Sequence, residues 1–177
     1  MIDRSARNKM ALSVRRLALG RITNWEYEEQ ISDSTVDTVI GVIDDEMWSL
    51  YNGHNEHGLV GKHEVSHADK KVIARIILFL KSDLKYEYPI VNDSIWRFFV
   101  TMVVFLGLLL ALWAGNSNSV LLSLAVLGSC FVLNRETLKK YETLFTLAGD
   151  QKQWPFTSEK QLRETAKLLA QNRKGLA

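Results

Sequence analysis

Cysteine and proline are scarce in this chain of 177 residues, with one of the first and two of the second. A lone thiol can close no intramolecular disulfide and build no thiolate metal site. The ten glycines include neither Gly-x-Gly-x-x-Gly nor a loop ending in Gly-Lys-Ser/Thr, so both common nucleotide-binding loops are missing. No Gly-x-Ser-x-Gly elbow occurs either, which removes the usual frame of a serine nucleophile. Neither sign of charge dominates: 22 Lys and Arg against 20 Asp and Glu leave +2, and general nucleic-acid binding is not expected. Arg4, Arg7, Lys9, Arg15, Arg16 and Arg21 nevertheless concentrate positive charge at the start of the chain, read as a solvated helix face, with anionic-lipid contact and then nucleic acid as the alternatives. That start is polar and lacks an apolar core of signal-peptide length, so no cleavage is expected.

What the chain does have is two uncharged apolar runs, Phe98 to Ala114 and Val120 to Leu133, joined through Asn116-Ser117-Asn118-Ser119. A helix needs about 20 mostly apolar residues to cross a bilayer. Ile95 and Trp96 extend the first run, and Trp113 marks its far end at the headgroup level. The second, about 21 Å of helix at 1.5 Å per residue, must borrow Ser117 to Ser119 or thin the bilayer locally. The runs predict a transmembrane helical hairpin. Lys81, Lys85 and Arg97 before it, and Arg135, Lys139 and Lys140 after it, contrast with the uncharged connection and place both termini in the cytoplasm. Gly107, Ala111 and Gly115 form a small-residue stripe on one span, and Ala125 with Ser129 on the other. Cys130 lies within the second span, and no ionisable group lies in either to carry a proton or ion.

Residues before the hairpin read as helices. Asp3 to Ala18 carries Met10, Val14, Leu17 and Ala18 as a buried stripe, and Gly20 stops it. Thr23 and Glu26 form a capping box that starts a short helix through Tyr27 to Ile31. Ser34 and Asp37 are expected to cap a third helix, with Val36, Val39, Ile40, Ile43, Met47, Trp48 and Tyr51 on its core face and Asp44 to Glu46 on the solvated one. A fourth runs from His67 to about Leu84, with Val72, Ile73, Ile76, Ile77, Leu80 and Leu84 giving it a wide apolar face. Tyr86, Tyr88 and Pro89 read as a linker to the membrane. After the hairpin, Arg135 to Ala148 carries a stripe of Leu138, Tyr141, Phe145 and Ala148. Ser158 and Gln161 cap a last helix with Leu162, Ala166, Leu169 and Ala170 on one side and Arg163, Lys167, Arg173 and Lys174 on the other. Docking of this tail onto the preceding domain is the expected default.

All four histidines, His54, His57, His63 and His67, fall in one short stretch that includes His63-Glu64-Val65-Ser66-His67. This string matches the His-Glu-x-x-His of zinc metallopeptidases, which implies two zinc ligands on adjacent turns of one helix and Glu64 as general base. The chemistry needs a continuous helix through His63. Ser66 with Asp69 instead looks like a helix start, and a third ligand is present by type alone in Asp83 and Glu87. A metal loop built from His54, His57 and His63, and a loop responsive to pH, are other readings, and a polar loop with four unremarkable histidines is the expected one. No residue is assigned as catalytic, cofactor-binding or metal-ligating.

The fold expected is all-α: a cytoplasmic helical bundle over 1–94, a transmembrane hairpin over 95–134 with spans at about 96–114 and 118–134, and a cytoplasmic helical tail over 135–177. Leu17 to Glu29 resembles the helix-Gly-x-Ile-Thr-x-x-Glu-aromatic pattern of the short C-terminal domain (SHOCT-like) helical module, which implies a protein-interaction or oligomerisation hairpin. The whole layout resembles uncharacterised bacterial two-span inner-membrane proteins with a helical cytoplasmic head, which implies a location. A non-enzymatic membrane-anchored interaction or regulatory protein is therefore expected, with the lipid bilayer and a protein partner or second copy as its contacts. A membrane-bound zinc peptidase using His63, Glu64 and His67 is the alternative, and an oligomeric channel or transporter subunit a third.

Overall fold

The computed structural model describes residues 1–31, 36–90 and 137–174, with isolated residues between 102 and 135. The chain divides into two compact units, one made of Met1–Tyr88 with Ala148–Ala177 and the other of Pro89–Leu147. The first unit is the head. In the second, 137–147 is helical, with Tyr141 and Phe145 half-buried but Leu138 exposed, against the predicted stripe. The spans at about 96–114 and 118–134 lie outside the described residues apart from scattered positions. Among the described residues no helix is long and apolar enough to cross a membrane.

The head is all-α. Helix α1 (Arg4–Ala18) starts at Asp3, whose carboxylate accepts the Ala6 N–H at 2.9 Å. It stops at Gly20, which takes φ +61, a region that favours glycine. A side chain there is excluded twice over, because a Cβ would lie 2.2 Å from Val60 Cγ1. Helix α2 (Asn24–Gln30) begins with the complete capping box: Glu26 N–H donates to Thr23 Oγ1 at 3.1 Å and Thr23 N–H to Glu26 Oε2 at 2.8 Å. Helix α3 is Val39–Trp48, helix α4 is His67–Leu80, and helix α5 is Glu159–Lys174. Ser158 Oγ accepts the Gln161 N–H while Gln161 Oε1 accepts the Thr157 N–H, a reciprocal start to α5.

Met10, Val14 and Leu17 of α1 pack with Tyr27, with Val39, Ile40, Ile43 and Met47 of α3, and with Ile73, Ile76, Phe79 and Leu80 of α4. Two expected core positions are on the surface: Val36 precedes α3, and Trp48 is 60% exposed, a residue's rotation away from buried Met47 at the end of the helix. On α5 the buried position is Thr165, with Leu162 and Leu169 half-buried, whereas Ala166 and Ala170 face solvent. The tail does dock. Phe156 is fully buried, edge-on to Phe79 at 5.5 Å between ring centres.

Arg7, expected on the solvated face, is 1% exposed. Its Nε donates to Asp37 Oδ2 at 2.6 Å and its Nη1 to the Leu84 and Ser82 carbonyls at 2.7 and 3.3 Å. Arg4 adds Nη1 to the Leu80 carbonyl at 2.8 Å and Nη2 to that of Ser82 at 2.5 Å. These cations satisfy carbonyls at the C-terminal end of α4, where the helix dipole also favours positive charge. Hence α4 ends at Leu80, four residues short of the predicted Leu84. Thr38 holds the cap position of α3 without a side-chain bond, but the Asp37 carboxylate accepts the N–H of Val39, the first residue of the helix, and also takes Arg7 and the Asp3 N–H at 3.1 Å. Ser34, the other expected cap, lies outside the described residues.

Burial alone would raise the Asp37 pKa, but bonds from Arg7 and from the Asp3 and Val39 N–H groups outweigh it and hold the group below its ordinary 3.8. The stabilisation is complete above that ordinary value and is lost as pH falls through the lower folded value. Arg7→Ala is expected to cost about 3–5 kcal/mol, since it strands a buried carboxylate. An Arg7→Met, Asp37→Leu pair is expected to cost much less and to abolish the acid sensitivity below about pH 4. Urea denaturation of the full chain in detergent, followed by tryptophan fluorescence, reads both; a loss under about 1 kcal/mol for Arg7→Ala, as for a surface pair, contradicts the account.

Candidate functional site: the histidine loop

Between α3 and α4 the chain forms a long loop, and its shape is set from α2. Asn24 is fully buried. Its Nδ2 donates to the Asn52 and Asn55 carbonyls at 3.3 and 3.1 Å, and its Oδ1 accepts the His57 N–H at 2.8 Å. The Asn24 N–H completes the clamp on the His57 carbonyl at 3.0 Å, next to an isolated bridge between Thr23 and Gly58. Buried backbone groups of an irregular loop need such partners, and one asparagine supplies most of them. Thr23 Oγ1 also donates to Glu56 Oε1 at 2.8 Å.

His57 and His63 meet on this clamp, their rings 4.3 Å apart and tilted by 40°. His57 Nδ1 lies 2.8 Å from the Asn55 carbonyl, which only accepts, so that nitrogen is the donor. The two imidazoles line a cleft of about 520 Å³ with Asn52, Asn55, Glu56 and Lys62. His63 is exposed, yet local desolvation, then His57, then Lys62, hold its pKa below the ordinary 6.5.

The peptidase string is divided here. His63 closes a 3-10 turn over Gly61–His63, the backbone then extends at Glu64, and α4 starts only after Ser66, whose Oγ accepts the Asp69 N–H at 3.1 Å. His63 and His67 therefore do not occupy adjacent turns of one helix. Glu64, the residue a metal-bound water would need as base, is paired with Lys70 at 2.5 Å, which lowers its pKa. His54, the third ligand in the alternative metal-loop reading, is exposed, and among the described residues no group of three or more His, Cys, Asp or Glu side chains is placed to hold a metal. The Ser66 start was legible in the sequence. The pairing of His57 with His63 was not, because it depends on the long-range clamp from Asn24.

No protein-family model, no curated protein and no solved structure matches this chain.

Removing His57 takes a neighbouring titrating group away from His63, so His57→Ala is expected to raise the His63 pKa toward 6.5, read by NMR titration of the ring resonances. An unchanged titration would show that the rings do not sense each other.

Proposed function

We propose that this chain is a non-enzymatic, membrane-anchored interaction or regulatory protein, held by a two-helix hairpin in a bacterial inner membrane with both termini in the cytoplasm. One observation carries the reading. The head is assembled from two separate stretches, 1–88 and 148–177, and the points where the intervening segment departs and returns are fastened together. Tyr88 is 3% exposed, and its hydroxyl is 3.0 Å from the Asp150 carbonyl and 3.1 Å from that of Phe156, sharing one proton between them. Trp154 Nε1 donates to Tyr86 Oη at 3.1 Å, and Arg75 Nε to the Trp154 carbonyl at 3.0 Å. Tyr86 and Tyr88 thus belong to the head, where the sequence suggested a linker.

A segment anchored at one place by both ends, and containing two uncharged apolar runs, the second of which borrows from the polar connection to reach a span, suits a membrane hairpin. The cationic flanks and uncharged connection supply the orientation. The α1–α2 pattern shared with the SHOCT-like module supports an interaction role. The arrangement of His63, Glu64 and His67 does not favour the peptidase alternative.

In a Cys130→Ser background, a cysteine at Ser117 is expected to react with a membrane-impermeant maleimide added to whole cells, whereas one at Ser5 reacts only after lysis. Equal labelling of both in intact cells, or recovery of the chain in the carbonate-soluble fraction, would overturn the anchoring.

A further inference from the structure

We propose that the outer side of α1, together with the Val60 turn, is a docking surface for an acidic, amphipathic segment of a partner protein. The inference deepens the interaction reading and rests on it. Leu12 and Leu19 lie two turns apart on one side of α1 and are 57% and 52% exposed. Val60, 56% exposed, packs its side chain over Gly20 at the end of the same helix and extends the apolar strip. Lys9, Arg15 and Arg21 are exposed on the same stretch, and residues 4–25 contain no Asp or Glu at all. The loop carboxylates flanking Val60 are already engaged, Glu56 by Thr23 and Glu64 by Lys70.

Helix α1 therefore has two unlike cationic ends. Arg4 and Arg7 turn inward to bond the end of α4, whereas Lys9, Arg15 and Arg21 are exposed beside the exposed leucines. Apolar contacts rimmed by one sign of charge suit a helix or strand with the opposite rim. The shape of the surface favours a protein over lipid. The neighbouring cleft, whose rim Val60 shares, is a recess that an inserted side chain fills and a flat bilayer does not.

The test is photocrosslinking in cells, with a benzophenone amino acid placed in the full-length chain at Leu12, Leu19 or Val60, and at Leu168 of α5 as an exposed control. All three positions are expected to capture the same polypeptide, at a segment rich in Asp and Glu with apolar residues at regular spacing, and Leu168 to capture none of it. Arg15→Glu with Arg21→Glu is expected to cut the yield at least tenfold, and Arg15→Lys with Arg21→Lys to restore most of it. Adducts to lipid or nucleic acid, a basic or neutral target segment, capture equal to the Leu168 control, or insensitivity to charge reversal would each overturn the proposal. Carbonate extraction of the same cells reports anchoring separately, so loss of crosslinks in a membrane-retained chain counts against this surface alone.

Discussion

Arg7 is the constraint from which the head is best understood. A guanidinium cannot lose its charge inside a protein, so a buried one must find a carboxylate and enough carbonyls to replace water. Asp37 gives it two oxygens, at 2.6 and 3.3 Å, and the end of α4 gives it the Ser82 and Leu84 carbonyls. The face of Phe79 lies 5.3 Å from the guanidinium carbon. These partners come from the approach to α3, the exit of α4 and the core itself. The pair adds little net stability over an apolar filling. Its consequence is positional, because these bonds tie α1 to the approach to α3 and to the exit of α4.

The exit of α4 fixed in this way leads directly to Tyr86 and Tyr88, and these hold the returning chain. Phe79 connects the two parts: one ring meets Arg7, Tyr86 edge-on at 6.3 Å, and Phe156 at 5.5 Å. The core of the head is thus completed by a residue that follows the long excursion in sequence. A head closed in this manner holds the departing and returning chain at one site.

Much of this was legible in the residues. The Thr23–Glu26 box, the Gly20 stop, the Ser66 start and the core faces of α1 and α4 are local signals with local causes, and the structure shows each. The misplaced residues have long-range partners. Arg7 reads as one more surface cation until Asp37 and the α4 carbonyls are brought to it, and Asp37, which does bond the first N–H of α3, gives no local sign that it also pairs with Arg7. Tyr88 reads as a linker residue because its partners lie beyond residue 148. Trp48 fits the helical period of its neighbours, but the period says nothing of where a helix ends relative to its packing partner. At the candidate site, the division of the peptidase string could be read from Ser66 and Asp69, whereas the clamp from Asn24 could not be read from any pattern around the histidines.

The central claim is that one head is built from two stretches of chain around an excursion that starts and ends together. It is tested most directly by cutting the excursion out. With protease sites introduced at residues 91 and 147 of the full-length protein, cleavage in detergent followed by gel filtration is predicted to leave 1–91 and 148–177 co-eluting as one folded species that retains the helical circular dichroism of α1 to α5. Separate elution of the two fragments, with loss of that helical signal, would contradict it.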